Sequence, residues 1–130
     1  VMISIELVDA RYEDFRMLDT PTLIADNFFN AGVILGPRIA NWRELDLATL
    51  EAFVTLNSQK IGNGKGSMIM GHPLNALTWL ANKLCARGAM LQAGQIITLG
   101  SMVVTHWAQP GDTIHHHIAE LGSISVTVKH

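Results

Sequence analysis

Alternating apolar and polar positions dominate both ends of the chain and predict β-strands there. Residues 1–9 are rich in β-branched side chains and are predicted to form a central strand. Glu6 then shares one face of that strand with Met2, Ser4 and Val8. Towards the carboxyl end, further strands are predicted between Gly, Pro and Ser positions, at residues 95–99, 102–107, 113–119 and 123–129. Sheet is therefore expected to dominate the chain.

Apolar residues spaced for a helix predict one long helix in the middle of the sequence. Pro73 occupies a typical first helical position, and Gly88 follows the last apolar position of the stripe. A shorter helix is predicted over residues 22–30, followed by a short strand at 33–35. Residues 47–54 fit either a short helix or the start of a strand.

The glycine-rich segment 59–71 is predicted to be a loop or a sheet edge, because glycine weakens regular secondary structure. Within it, Gly62-Asn-Gly-Lys-Gly66 superficially resembles a phosphate-binding loop. Its spacing matches neither the P-loop nor the dinucleotide-binding fingerprint. The segment therefore gives no support to nucleotide binding.

Composition and charge narrow the class of protein. The chain has 130 residues, of which 48% are hydrophobic and 15% charged, and its formal net charge is -2. This length and composition predict a single folded domain. No basic stripe is present for nucleic acid, and the apolar runs are shorter than the roughly 20 residues that span a bilayer. One cysteine, Cys85, cannot form an internal disulfide, so the cytoplasm is the expected location.

The strand pattern starts at Val1, with neither an initiator Met nor a polar lead-in. We therefore expect residues 1–130 to be the carboxyl-terminal portion of a longer catalytic domain.

Glu6 is the first candidate for chemistry. A carboxylate on an interior strand face is costly unless a cation or hydrogen bonds compensate its charge, and a hard divalent ion would do so. The alternative is an ion-paired glutamate or one at the rim of the sheet. No E-x-E or H-x-H pair near Glu6 completes a metal site.

Two further positions suggest contacts with a substrate. Asp26 and Asn27 place an acid and an amide in an apolar stretch, where they would orient a water or a substrate oxygen. Local capping of the backbone is the alternative. Ser101 follows Gly100 between two predicted strands and would bind a substrate carboxylate; the alternative is a simple bend. In the run His115 to His117, only the first and third side chains share a face, and an exposed or edge-strand role is favoured.

Taken together, six segments resemble the fumarylacetoacetate hydrolase superfamily, in particular its branch of 2-oxopent-4-enoate (2-hydroxypentadienoate) hydratases and 4-oxalocrotonate decarboxylases. These segments are Ile5-Glu-Leu-Val-Asp-Ala-Arg-Tyr12, Ile24-Ala-Asp-Asn27, Met70-Gly-His-Pro-Leu-Asn75, Trp79-Leu-Ala-Asn-Lys-Leu84, Leu91-Gln-Ala-Gly94 and Leu99-Gly-Ser-Met102. The resemblance implies an α+β fold, a sheet-dominated mixed β-roll with one long and one or two short helices. It also implies assembly into dimers or larger homo-oligomers.

The resemblance also implies roles for individual residues. Glu6 matches the third metal-binding carboxylate of the family, whereas the E-x-E motif and the acid/base lysine lie upstream in relatives and are absent here. Asp26, our candidate catalytic residue, stands where carbon–carbon hydrolases of the superfamily have a lysine, which favours the hydratase and decarboxylase branch. Ser101 matches a position near the substrate carboxylate, and Asn27 is a second pocket candidate.

The function implied is that of a Mg²⁺- or Mn²⁺-dependent lyase that adds water to a small 2-hydroxy-2,4-dienoate or 2-oxo-4-enoate in aromatic meta-cleavage catabolism. A 4-oxalocrotonate-type decarboxylase of the same branch is one alternative. The other is an inactive fragment or subunit, since the upstream ligands are missing.

Overall fold

Two antiparallel sheets and one long helix make up the fold in the computed structural model, which describes residues 1–129. The first sheet pairs β1 (Ser4–Val8) with β2 (Asn30–Leu35). The second has the order β4-β3-β5-β6, and its strands are β3 (Glu51–Leu56), β4 (Gln59–Lys65), β5 (Thr113–Ile118) and β6 (Gly122–Thr127). The helices are α1 (Thr20–Ala25) and α2 (Pro73–Cys85). The predicted sheet-dominated α+β class, with one long helix, is confirmed.

Helix α2 forms as predicted because its start and end are encoded locally. Pro73 occupies the first turn, and the Nδ1 atom of His72 accepts a hydrogen bond from the Leu74 amide at 3.1 Å. After the last turn, Gly88 adopts a φ of 71°, which favours glycine. No helix among the described residues is both long and apolar enough to cross a membrane.

Helix α1 is shorter than predicted, and residues 26–30 of the predicted helix are not part of it. The Asp26 carboxylate accepts a hydrogen bond from the Phe29 amide at 3.1 Å and caps a short 3₁₀ turn, Asn27–Phe29. All three residues of that turn have a positive φ, between 50° and 63°. A left-handed backbone cannot continue an α-helix, so the chain turns instead into β2.

The strands predicted at residues 95–99 and 102–107 are absent from the structure. This segment crosses the glycine-rich strand β4, where a Cβ atom at Gly64 would overlap the Met102 carbonyl. A Cβ atom at Gly62 would lie 3.4 Å from Val103. Met102 and Val103 therefore pack over β4 rather than pairing within a sheet.

Four other predictions concern strand positions. Residues 59–65 form an edge strand, as one of the two predicted alternatives, and residues 51–54 belong to β3 rather than to a helix. The central position predicted for β1 is wrong, since within residues 1–129 β1 pairs with β2 alone. The edge-strand role predicted for His115 to His117 is also wrong, because β5 lies between β3 and β6.

The core lies where the two sheets meet. Ile3, directly before β1, is the largest fully buried side chain, and its carbonyl accepts the Gly36 amide at 2.8 Å. The other buried apolar residues are Leu47, Leu50, Ala52, Val54, Ile118 and Leu121. His116 also belongs to this inner face, and its Nδ1 atom lies 3.2 Å from the Ser4 carbonyl oxygen. That contact ties β5 to β1.

His116 predicts a pH-dependent stability. Burial lowers the pKa of His116 from its usual value of 6.5, the Ser4 carbonyl opposes that shift, and His115 and His117 add to it. The folded protein therefore keeps this imidazole neutral, whereas the unfolded chain takes up a proton as pH falls below 6.5. We expect the free energy of unfolding, measured with urea, to decrease as the pH is lowered from about 7 to about 5.

The His116→Gln variant should lose most of this pH dependence, because it cannot take up the proton. The His115→Gln variant, on the outer face of the same strand, should retain it. Equal pH dependence in the His116→Gln variant and the original protein would contradict the prediction.

Candidate functional site

Glu6 projects from β1 at a position where a cation can reach it. It lies opposite Val33 of β2, and its Oε1 atom accepts a hydrogen bond from Asn30 Nδ2 at 3.1 Å. The residue is exposed, so the interior position predicted for it is wrong. The reason is that β1 belongs to a two-stranded sheet. In the described chain it pairs with β2 alone. No basic group of residues 1–129 lies within ion-pair distance of Glu6.

Asp26 forms a two-point ion pair with Arg11. The Arg11 Nη2 atom lies 2.8 Å from Oδ2, and Nε lies 3.2 Å from Oδ1. Hydrogen bonding to the Arg11 side chain holds the pKa of Asp26 below its usual value, with the burial of the carboxyl opposing and the Phe29 amide adding to that effect. The ionised carboxylate is thus occupied by a guanidinium and a backbone amide, which favours the capping alternative over proton transfer.

The Arg11–Asp26 pair and Glu6 are connected through the turn that follows Asp26. That turn contains Asn27 and ends at Asn30, which bonds Glu6. The Asp9 amide donates to the Phe29 carbonyl at 2.9 Å and holds the turn against the end of β1. The structure therefore connects Glu6 and Asp26 through this turn, which also carries Asn27. We call this group of residues, together with Arg11 and Asn30, the β1–β2 site.

Arg11 and Asn30 were not assigned a role from the sequence. The sequence did contain a signal for Arg11, which is a basic residue shortly after the predicted strand that carries Glu6. It belongs to the same motif as Glu6, residues 5–12. Its partner lies 15 positions away, and Asn30 lies 24 positions from Glu6, so neither contact has a local signature.

Aromatic rings border the β1–β2 site. The ring of Phe29 lies 6.0 Å from that of Tyr12 and 6.2 Å from that of Phe15. Phe15 also packs against Trp107, with 5.5 Å between ring centres. The segment that contains Trp107 is thereby attached to the turn after Asp26, and it adds an apolar surface beside the polar groups.

The hydrogen bonds of Ser101 are to Val103 and not to residues of the β1–β2 site. Its Oγ atom donates to the Val103 carbonyl oxygen at 2.5 Å and is 3.2 Å from the Val103 amide. Gly100 before it has a φ of 126° and packs near Ile69. Both contacts of the hydroxyl are local, which favours the bend over the carboxylate-binding alternative.

The sequence profile of the fumarylacetoacetate (FAA) hydrolase C-terminal family matches residues 1–129. The chain belongs to the fumarylacetoacetate hydrolase family. The resemblance predicted from the six segments is confirmed, and so is the β-rich fold that it implied. In this family member, the strand motif that carries Glu6 is β1, and the motif with Asp26 and Asn27 closes α1.

Relatives in the family are hydratases and decarboxylases. The chain is 36% identical over 125 residues to 4-oxalocrotonate decarboxylase of Pseudomonas putida, covering 96% of this chain and 47% of the relative. It is 39% identical over 133 residues to 2-oxo-hept-4-ene-1,7-dioate hydratase of Escherichia coli, covering 96% and 49%. The chain thus spans about half the length of the curated relatives it matches.

Solved structures agree with this assignment. The 4-oxalocrotonate decarboxylase from Pseudomonas putida G7, complexed with magnesium and adipate, superposes with a TM-score of 0.89 at 35% identity. The alignment covers 98% of this chain and 48% of the decarboxylase. A second structure of the same enzyme, complexed with calcium and acetate, gives a TM-score of 0.85 at 34% identity and covers 98% and 47%.

The β1–β2 site contains one type of group that suits a hard cation. Glu6 supplies a carboxylate oxygen, the ligand type that Mg²⁺ and Mn²⁺ prefer. Residues 1–129 contain no cluster of three or more His, Cys, Asp or Glu side chains able to hold a metal ion. Glu6 therefore does not form a metal site by itself.

Proposed function

We propose that this chain provides one carboxylate ligand, Glu6, to the divalent-metal site of a hydratase that acts on small 2-hydroxy-2,4-dienoates or 2-oxo-4-enoates. The observation that carries the proposal is the position of Glu6, exposed and free of any basic partner in the described part of the chain. Hydratases among the relatives, which include 2-keto-4-pentenoate hydratase of Paraburkholderia phymatum, support the reaction class.

The residues of the β1–β2 site have distinct tasks in this proposal. Asn30 donates to one oxygen of Glu6 and so fixes the direction of the carboxylate. Arg11 and Asp26 hold the turn that carries Asn27 and Asn30, which makes them positioning residues. A bound Mg²⁺ or Mn²⁺ would polarise the carboxylate and 2-oxo group of the substrate and favour its tautomerisation before water adds.

Decarboxylation is the second candidate. It requires the same activation of a 2-oxo acid, and it is favoured by the likeness to a decarboxylase that binds magnesium and adipate, a dicarboxylate. Release of carbon dioxide, measured beside the loss of the dienoate chromophore, distinguishes decarboxylation from hydration.

A homo-oligomer belongs to the proposal as well. Several large apolar side chains are well exposed in the single chain, and a second copy would remove them from water. They include Met17, Ile24, Met90, Val104 and Trp107.

The metal-binding proposal is tested by titrating the protein with Mg²⁺ and Mn²⁺ in a calorimeter, without substrate. We expect the Glu6→Ala variant to bind at least about tenfold more weakly, because a hard cation gains most from a charged oxygen ligand. The matched control is Glu13→Ala, which removes an exposed carboxylate from the loop after β1.

Binding that is equally weakened in both variants would indicate a general effect of charge and contradict the proposed ligand. Absence of Mg²⁺ and Mn²⁺ binding by the unaltered protein would favour the inactive alternative.

A further inference from the structure

The outer face of the four-stranded sheet carries two histidines that the β1–β2 site does not use. His115 and His117 project from this face, while His116 between them projects into the core. On the neighbouring strand β6, the residues opposite them in register are Ser125 and Ser123. All four side chains therefore lie on one side of the sheet.

The serines hold the two imidazoles by the same ring atom. His115 Nδ1 lies 2.9 Å from Ser125 Oγ, and His117 Nδ1 lies 2.8 Å from Ser123 Oγ. A ring that donates its Nδ1 hydrogen presents the unprotonated Nε2 atom as a ligand. Histidines bound to metals typically have this kind of second hydrogen bond, which fixes the tautomer.

Phe53 confines the two rings from the other side. This residue lies opposite His117 on β3, and its ring centre is 4.9 Å from that of His117 and 6.3 Å from that of His115. Lys60 covers the Phe53 ring, with its Nζ atom 5.8 Å from the ring centre. The imidazoles thus stand between serines on one side and an aromatic ring on the other, and of the three histidines His116 alone has a buried Nε2 atom without a partner.

We propose that His115 and His117 form a chelate for a divalent transition-metal ion with affinity for imidazole, such as Zn²⁺. Alternate residues of a strand lie about 7 Å apart at their Cα atoms. Two imidazoles on one face at this separation can direct their Nε2 atoms at one ion between them, at a Zn–N distance of about 2 Å. Water completes the coordination, since no third His, Cys, Asp or Glu of the described chain joins the pair.

This chelate differs from the Glu6 ligand in both chemistry and place. Imidazole favours Zn²⁺, Ni²⁺ and Cu²⁺ over Mg²⁺, whereas a carboxylate favours the harder ion. The two-stranded sheet, which carries Glu6, packs on the inner face of β5 through His116, and the chelate lies on the outer face. The inference is therefore independent of the proposed function.

The test is a ZnCl₂ titration of the untagged protein, followed by calorimetry and by the rise in thermal unfolding temperature. We expect Zn²⁺ binding to be lost in the double variant His115→Gln/His117→Gln and unchanged in His106→Gln, which removes an exposed histidine elsewhere. We also expect Ser123→Ala and Ser125→Ala each to weaken binding about tenfold, because loss of a hydrogen bond that orients a metal-binding imidazole has an effect of that size. Circular dichroism verifies that the variants are folded.

Zn²⁺ binding that survives in the double variant would overturn the proposal, and so would the absence of binding by the unaltered protein. Binding that is lost in the double variant but unaffected by either serine substitution would also overturn it. That result would mean that the serines do not orient the two histidines for the metal. Retention of Zn²⁺ binding in Glu6→Ala is expected whether or not the Mg²⁺ proposal is correct.

Discussion

Replacing Gly66 with alanine is expected to lower the free energy of unfolding by about 3 kcal/mol. A Cβ atom at this position would overlap the carbonyl oxygen of Leu47 and approach the Cα of Ala48 to 3.3 Å. Both neighbours are backbone atoms, which cannot move aside as a flexible side chain does. Two hydrogen bonds fix the segment further, from the Gly66 amide to Leu50 at 3.0 Å and from Ser67 to Ala48 at 2.7 Å.

Gly62→Ala is the matched control for this substitution. Gly62 lies in the same glycine-rich segment, on β4 and four residues before Gly66, but a Cβ atom there would meet only the Val103 side chain, at 3.4 Å. We expect this variant to unfold in urea close to the original protein. If the two alanine variants were equally stable, close approach of the backbone would not explain why position 66 requires glycine. A loss confined to Gly66→Ala would show that Gly66 permits the close approach of two backbone segments.

Replacing Ile3 with alanine is the other change with a large expected effect, a loss of about 2–5 kcal/mol in the free energy of unfolding. Ile3 is 0% exposed, and it packs in the core cluster between the two sheets. Its removal leaves a cavity where the sheet that carries Glu6 contacts the larger sheet. Urea denaturation monitored by tryptophan fluorescence measures the loss.

Ile24→Ala supplies the comparison for Ile3. Ile24 is the same residue type, but it is 62% exposed on α1, so its truncation removes little buried surface. We expect a much smaller loss of stability from it. Similar losses for both variants would mean that Ile3 does not anchor the two sheets to each other.

Elements with local signals were predicted from the sequence. Helix α2 begins at Pro73 and is followed by Gly88, and both features are readable without any knowledge of the fold. The strands β5 and β6 alternate regularly and are separated by a short turn, so their positions were also predicted closely.

Features that depend on distant residues were not predicted. Met102 and Val103 are apolar as a strand prediction requires, but the surface that they pack against depends on the glycines of β4. Likewise, Asp26 was a catalytic candidate on its residue type, and only the folded chain shows that Arg11 engages both of its oxygens. Glu6 was identified through its strand motif, whereas its exposure follows from the two-stranded sheet.

The strand order of the larger sheet has a consequence for folding kinetics. β3 and β4 are joined by a tight turn, as are β5 and β6, whereas the pairing of β3 with β5 spans the long connection through α2. Short hairpins close within microseconds, but closing a long loop costs more entropy before any contact compensates. We therefore expect the β3–β5 pairing to limit the folding rate, and shortening the connection after α2 to accelerate folding more than any change within a hairpin.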